Sequence, residues 1–160
     1  VEPKQHRYEV QVEWTGNLGT GTSSYEGYTR DHRLAAPGKE ALACSADPAF
    51  RGDPSRYNPE ELFIASIASC HMLWYLHLCA DAGVRVLAYE DRPTGTLAES
   101  GMQAGELTAI SLFPHATIAD AAHVELACTL HQQAHALCFL ARSVRTPIQI
   151  HPTAAPAPRG

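Results

Sequence analysis

Residues 6–14 alternate apolar and polar positions and predict a β-strand. Turn residues fill 15–21, and 22–34 can return as a second strand, so the simplest reading of this stretch is a hairpin. Periodicity then stops. Pro37, Gly38, Pro48, Gly52 and Pro54 punctuate a connector over 35–57, long enough to suspect a functional role.

The clearest pattern begins at Asn58. Asn is a preferred N-cap, Pro59 suits the first helical position, and Glu60 and Glu61 sit where the helix dipole favours anions. Glu61 stands three residues after the cap, where a capping-box carboxylate belongs, and Gly83 is a natural residue just past the helix end. From Leu62 to Ala80 there is no Asp, Glu, Lys or Arg. The length is marginal for a membrane span and His71, His77 and serines interrupt it, so the pattern predicts a central helix, apolar almost all round and buried.

Beyond it, 85–96 and 106–118 predict two strands separated by a turn over 98–105. Residues 120–136 predict an amphipathic helix with Asp120 as a cap, 138–144 a short helical turn, and 146–150 a closing strand. The Pro- and Ala-rich tail, 151–160, is expected to fray. The sum is one α+β domain over 1–160.

Composition narrows the function classes. Apolar residues make up 45% and charged residues 18%, which fits a globular chain rather than a disordered one. The net charge is −5 with scattered basic residues, which argues against nucleic acid or an anionic membrane as partner. The N-terminal residues are polar, with no apolar signal-like run, and the five cysteines are an odd number. A reducing cytoplasm is the expected compartment, where a disulfide is more often catalytic than structural.

Cys70 lies inside the apolar helix. By position alone it reads as a small core residue, because the helix dipole fades within the first turn. A reactive thiol there requires a cation from another segment. Cys138, at the end of the second predicted helix, sits where local opening costs least, yet alone it also reads as buried. Cys128, His131 and His135 share one helical face and could approach a metal, but no fourth ligand is evident and no metal site is expected. His71 and His77 read as core or interface histidines, and Trp74, Tyr75 and Phe139 as core or the lining of an apolar pocket. Cys44 and Cys79 read as structural.

Two separate segments carry a resemblance. Asn58-Pro59-Glu60-Glu61-Leu62 followed by Ala68-Ser69-Cys70-His71-Met72 resembles the central helix of the OsmC/Ohr superfamily. The run from His131 to Phe139, His-Gln-Gln-Ala-His-Ala-Leu-Cys-Phe, resembles that family's second-cysteine segment. The order of predicted elements agrees over about residues 6–150.

The resemblance implies an OsmC-like fold, two antiparallel sheets around two central helices in an intertwined homodimer. It further implies a thiol-dependent peroxidase of organic hydroperoxides that uses no cofactor. Cys70 would attack the O–O bond and become a sulfenic acid, Cys138 would resolve it to a disulfide, and a lipoyl-type or thioredoxin-like dithiol would reduce that. An arginine from the segment before the helix would stabilise the thiolate, oriented by Glu60. Arg51 is the first choice, then Arg56, then Arg30. The alternative is a non-enzymatic, stress-related dimer that binds an apolar small molecule; a third is a redox sensor with metal on the Cys128/His131/His135 face.

Overall fold

The computed structural model describes residues 2–100 and 103–158. The chain divides into two compact units, residues 1–62 and 63–160.

In the first unit, β1 (Gln11–Trp14), β2 (His32–Ala35) and β3 (Leu42–Cys44) form an antiparallel sheet in that order. Gln11 pairs with Ala35 and Trp14 with His32, so the predicted hairpin exists with shorter arms. Its second strand starts at His32 rather than residue 22, because turns rich in Gly and Ser occupy the stretch between. The predicted connector is ordered. It holds β3 and a single 3-10 turn, Pro48–Phe50, capped by the Asp47 carboxylate, which accepts from the Ala49 N–H at 2.7 Å. Gly52 is required by close approach: a Cβ there would stand 1.6 Å from the Ala46 carbonyl oxygen.

Helix α1 runs Pro59–Asp81 and begins as its sequence dictates. Asn58 Oδ1 accepts from the Glu61 N–H at 2.8 Å, while the Glu61 carboxylate accepts from the Asn58 N–H at 3.1 Å. This reciprocal capping box stabilises the start by about 1 kcal/mol. At the other end Gly83 adopts φ +73°, and the Val84 and Gly83 N–H groups return to the Cys79 and Ala80 carbonyls at 2.8 and 3.2 Å. That is a Schellman stop.

The second unit is built on a three-stranded ribbon that breaks once along its length. One edge is β4 (Val86–Glu90) continuing as β5 (Thr94–Ser100); the centre is β6 (Gln103–Leu112) continuing as β7 (His115–Ile118). The other edge is β8 (Ile148–Ile150) continuing as β9 (Thr153–Pro156). The break produces two sheets, β5-β6-β8 and β4-β7-β9. Each of the three strands is interrupted beside a proline, Pro93, Pro114 and Pro152, which cannot donate to a ladder. The strands predicted over 85–96 and 106–118 are therefore two each. Strand pairing also covers most of the predicted turn over 98–105; residues 101 and 102 lie outside the described ones.

Helix α2 (Val124–Leu137) follows β7 and carries the chain back, so β8 and β9 pair parallel to β6 and β7. The fold is α+β with two helices, but the sheets number three rather than two, and only the first is wholly antiparallel. The tail expected to fray instead supplies β9, with Ala154 registered on Ala116.

The helices bury narrow stripes. On α1 these are Ile67, His71, Tyr75 and Cys79, four apart, with Ala68 alongside; on α2 they are Ala127, Leu130, His131 and Ala134. The N-terminal half of α1 packs Ile67 and Ala68 on Ile110 and Leu112 of β6. Its C-terminal half packs Tyr75 and Cys79 on Ala116 and Ile118 of β7 and on α2. Full burial of each large aliphatic side chain stabilises by roughly 1.5–3 kcal/mol. The expected all-round burial of α1 is not met within the chain: Leu73 is 63% exposed, and Ala65, Ser69 and Ala80 face outward. By length and composition α1 could also cross a bilayer, yet its buried stripe is committed to β6, β7 and α2.

Candidate active site

Within residues 63–158 the fold brings the two predicted thiols together. Cys70 sits in the fourth turn of α1, half-buried. Cys138 is the residue at which α2 stops: its backbone turns extended at φ −63°, ψ 112°, and its side chain is 1% exposed. The two thiols are neighbours, near enough for Cys70 to raise the titration of Cys138, and both are free. Burial pushes the Cys138 thiol up to about 11; the Ala141 N–H, donating to Sγ at 3.4 Å, partly offsets this, and the neighbouring Cys70 adds to it. Cys138 is therefore a neutral thiol at physiological pH.

Aromatic side chains flank the pair. Trp74, one turn after Cys70, meets Phe139 edge-to-face with centroids 5.4 Å apart. Phe139 is 67% exposed, so of the two readings, core or pocket lining, it meets the second, whereas Trp74 is partly buried against the core; with Leu73 they make an apolar surface beside the thiols.

Behind the thiols lies a feature that the sequence reading did not single out. His71 Nε2 and His131 Nδ1 are 2.9 Å apart, joining α1 to α2, and Tyr75 stacks on His131 at 3.8 Å between centroids. Both imidazoles are about 1% exposed. Burial pushes His71 down to about 4, with His135 adding repulsion, and His131 to about 3, with His71 adding repulsion. Both rings are neutral at pH 7. The signal available in sequence was that each occupies the buried stripe of its helix. His131 turns its Nδ1 inward to His71, and with Cys128 and His135 it also lines a neighbouring cavity of about 250 Å³. Among the described residues no three His, Cys, Asp or Glu side chains converge to hold a metal.

This pair has a consequence for stability. The unfolded imidazoles titrate near 6.5 and the folded ones well below it, so unfolding takes up protons as pH falls below 6.5. Stability is complete above that value and declines on acidification, by about 1.4 kcal/mol per pH unit for each imidazole. Urea unfolding midpoints should fall between pH 6.5 and 5, above the range in which ordinary carboxylates titrate. A flat profile there would mean that the pair is not buried as described.

The remaining candidates belong to residues 1–62. Arg56 is 3.4 Å from Asp53 and 3.7 Å from Asp31. Arg30 lies over the Tyr25 and Tyr28 rings, 4.2 and 4.1 Å from their centroids, and donates to both residues' carbonyls at 2.7 Å. Arg51 has no ion pair among the described residues. It is the only non-glycine among them with positive φ, 64°, where it closes the 3-10 turn. An L-residue held there costs about 1–2 kcal/mol, a strain often found at functional positions. Glu61, not Glu60, makes the capping box, so Glu60 is spared that role.

Comparison with known proteins agrees with this geometry. An OsmC-like protein of unknown function from Vibrio cholerae superposes with a TM-score of 0.83 at 25% identity, covering 92% of this chain and 99% of that one. An organic hydroperoxide resistance protein OsmC from Legionella pneumophila superposes at 0.67 with 16% identity, covering 96% and 99%. Another organic hydroperoxide resistance protein, from Elizabethkingia anophelis, gives 0.66 with 15% identity, covering 96% and 100%. No curated protein matches the sequence. The family model described as OsmC-like protein matches residues 52–153, a span that includes the helix-capping signature, both thiols and the ribbon up to the start of β9, and the chain belongs to that family.

Proposed function

We propose that the protein is a thiol-dependent peroxidase acting on organic hydroperoxides, with Cys70 as the attacking thiol and Cys138 as its resolving partner. The observation that carries this reading is the unequal environment of two thiols in mutual reach. Cys70 is half-buried beside an apolar surface, whereas Cys138 is sealed and held neutral by burial. Only the accessible member of such a pair can meet a peroxide. Membership of the OsmC-like family supports the reading, as do the names of the Legionella and Elizabethkingia structures.

In this scheme the Cys70 thiolate attacks one peroxide oxygen and the O–O bond breaks. The alkoxide leaves and takes a proton to become the alcohol, and Cys70 becomes a sulfenic acid. Cys138 sulfur then attacks the Cys70 sulfur; the hydroxyl departs as water with the Cys138 proton, and the disulfide forms. A dithiol returns both cysteines to thiols with two electrons and two protons. The substrate's apolar body lies along Trp74 and Phe139. A second copy of the chain covers the remaining outward side of α1, which one chain leaves open around Leu73.

Arg51 is the cation assigned to the thiolate, and Glu60 its orienting carboxylate. The strained backbone at Arg51, which has no ion pair among the described residues, favours it over Arg56 and Arg30, which are already engaged. Each pKa unit that an arginine removes from a thiol changes the thiolate fraction near neutrality by about tenfold. Arg51→Ala should therefore lower kcat/KM by about tenfold or more at pH 7 and regain part of it at higher pH. A steady-state assay against cumene-type, fatty-acid and hydrogen peroxides, run with dihydrolipoamide and with thioredoxin, tests the activity itself. An unchanged Arg51→Ala pH profile would remove Arg51 from the site.

A further inference from the structure

We propose that the His71–His131 hydrogen bond is a positioning device that fixes the register of α1 against α2 and so keeps Cys138 within reach of Cys70. This rests on the thiol-peroxidase reading above for its role in turnover.

His71 follows Cys70 directly on α1, and His131 lies two turns before Cys138 on α2. Their 2.9 Å contact is the one side-chain hydrogen bond joining these two helices among the described residues. The rings meet edge to edge within 15° of coplanar, their centroids 5.2 Å apart, and Tyr75 stacks on one face of His131 within 10°. Apolar packing is non-directional and lets helices slide, whereas a single N–H···N bond between two clamped rings does not. The arrangement has a cost: His71 Nδ1 and His131 Nε2 are buried without partners. A core selected for stability alone would be better served by two apolar side chains, so geometry is the gain.

The bond requires both rings neutral, one donating and the other accepting. Facing the pair are Tyr75 from α1 (itself against Cys79), Cys128 and His135 from α2, and Tyr89 from β4. No carboxylate bears on either imidazole; Asp91 acts instead on Tyr89 and accepts from the Phe113 N–H at 2.7 Å. A proton added to either outer nitrogen therefore leaves a buried charge with no carboxylate against it, and a second proton would set two donors face to face. Acid should unlock the helices beside the thiols.

The test follows Cys70 and Cys138 by quenched mass spectrometry after one equivalent of cumene hydroperoxide, with a dimedone-type trap for the sulfenic acid, and in parallel after diamide. His131→Leu should oxidise Cys70 at the wild-type rate but close the disulfide at least about tenfold more slowly with both oxidants. His131→Asn, whose amide can take the place of Nδ1, should recover most of the loss. Should His131→Leu fail to fold, the pair His71→Gln/His131→Asn serves, since it keeps the bond and removes the titration. Its disulfide closure should then hold up at pH 5, where the wild type slows. Wild-type closure rates in His131→Leu, or identical pH profiles in wild type and His71→Gln/His131→Asn, overturn the inference. Diamide closes any well-placed thiol pair, so the inference is still decided if cumene hydroperoxide leaves wild-type Cys70 untouched, a result that sinks the peroxidase reading alone.

Discussion

Cys70→Ser should yield a folded protein that consumes no organic hydroperoxide above the rate of buffer and reductant alone. Serine is close to cysteine in volume, and residue 70 is half-buried rather than sealed, so the packing of α1 on β6 and α2 should survive. What disappears is the nucleophile: a serine hydroxyl is not ionised at neutral pH and cannot pass through a sulfenic acid. The other four cysteines should not compensate. Cys44 and Cys79 are shut in at 0% and 1% exposure, and burial raises both thiols, with an Arg56 charge easing the first and a Tyr75 contact the second. Cys138 is held neutral, and Cys128 lines a separate cavity. Hydroperoxide consumption followed in a coupled assay, with circular dichroism as the folding control, decides the matter. Turnover that survives in a folded Cys70→Ser protein would dispose of the assignment.

Cys138→Ser should behave differently. Cys70 remains able to react, so the first turnover survives and one equivalent of alcohol is released. With no resolving thiol in reach, the sulfenic acid waits for an external thiol or moves on to sulfinic acid, which a dithiol does not reverse. Multiple turnover should fall by about tenfold or more, with dimedone-type adducts accumulating on Cys70 and nowhere else. Stability should drop little, because the substitution keeps a small side chain that can accept from the Ala141 N–H. Full steady-state activity without adduct accumulation would show that a different thiol, or none, resolves Cys70.

These expectations rest on features of unequal legibility. The start and stop of α1 were readable because capping chemistry is local: Asn58, Glu61 and Gly83 each act on backbone groups within a few residues. The α+β class was readable for a similar reason. The broken ribbon was not, because Pro93 and Pro114 interrupt runs that otherwise look continuous. The sheet to which each half belongs is set by pairing with β7 and β6, distant in sequence. The tail was misjudged because Pro and Ala favour fraying only where no strand waits, and β7 offers an open edge to Thr153–Pro156. All-round burial of α1 was inferred from its composition, but one ribbon and one neighbouring helix cover only a stripe.

The chemistry divides the same way. Neither cysteine announces itself, and 67 intervening residues carry no information on distance; the family resemblance paired them, and the end of α2 shows how they meet. The shared face of Cys128, His131 and His135 was readable from helical spacing, and all three line one cavity; the contact of His131 with His71 was not, because spacing defines a face but not what the face packs against. Arg51 was chosen by position before the helix. Its left-handed backbone is visible only in three dimensions.

The most direct test of the central claim is non-reducing peptide mapping after one equivalent of an organic hydroperoxide. A Cys70–Cys138 disulfide should form within a single chain, with Cys44, Cys79 and Cys128 recovered as free thiols. A mapped product in which Cys70 stays reduced, or in which the disulfide joins any other pair, contradicts it.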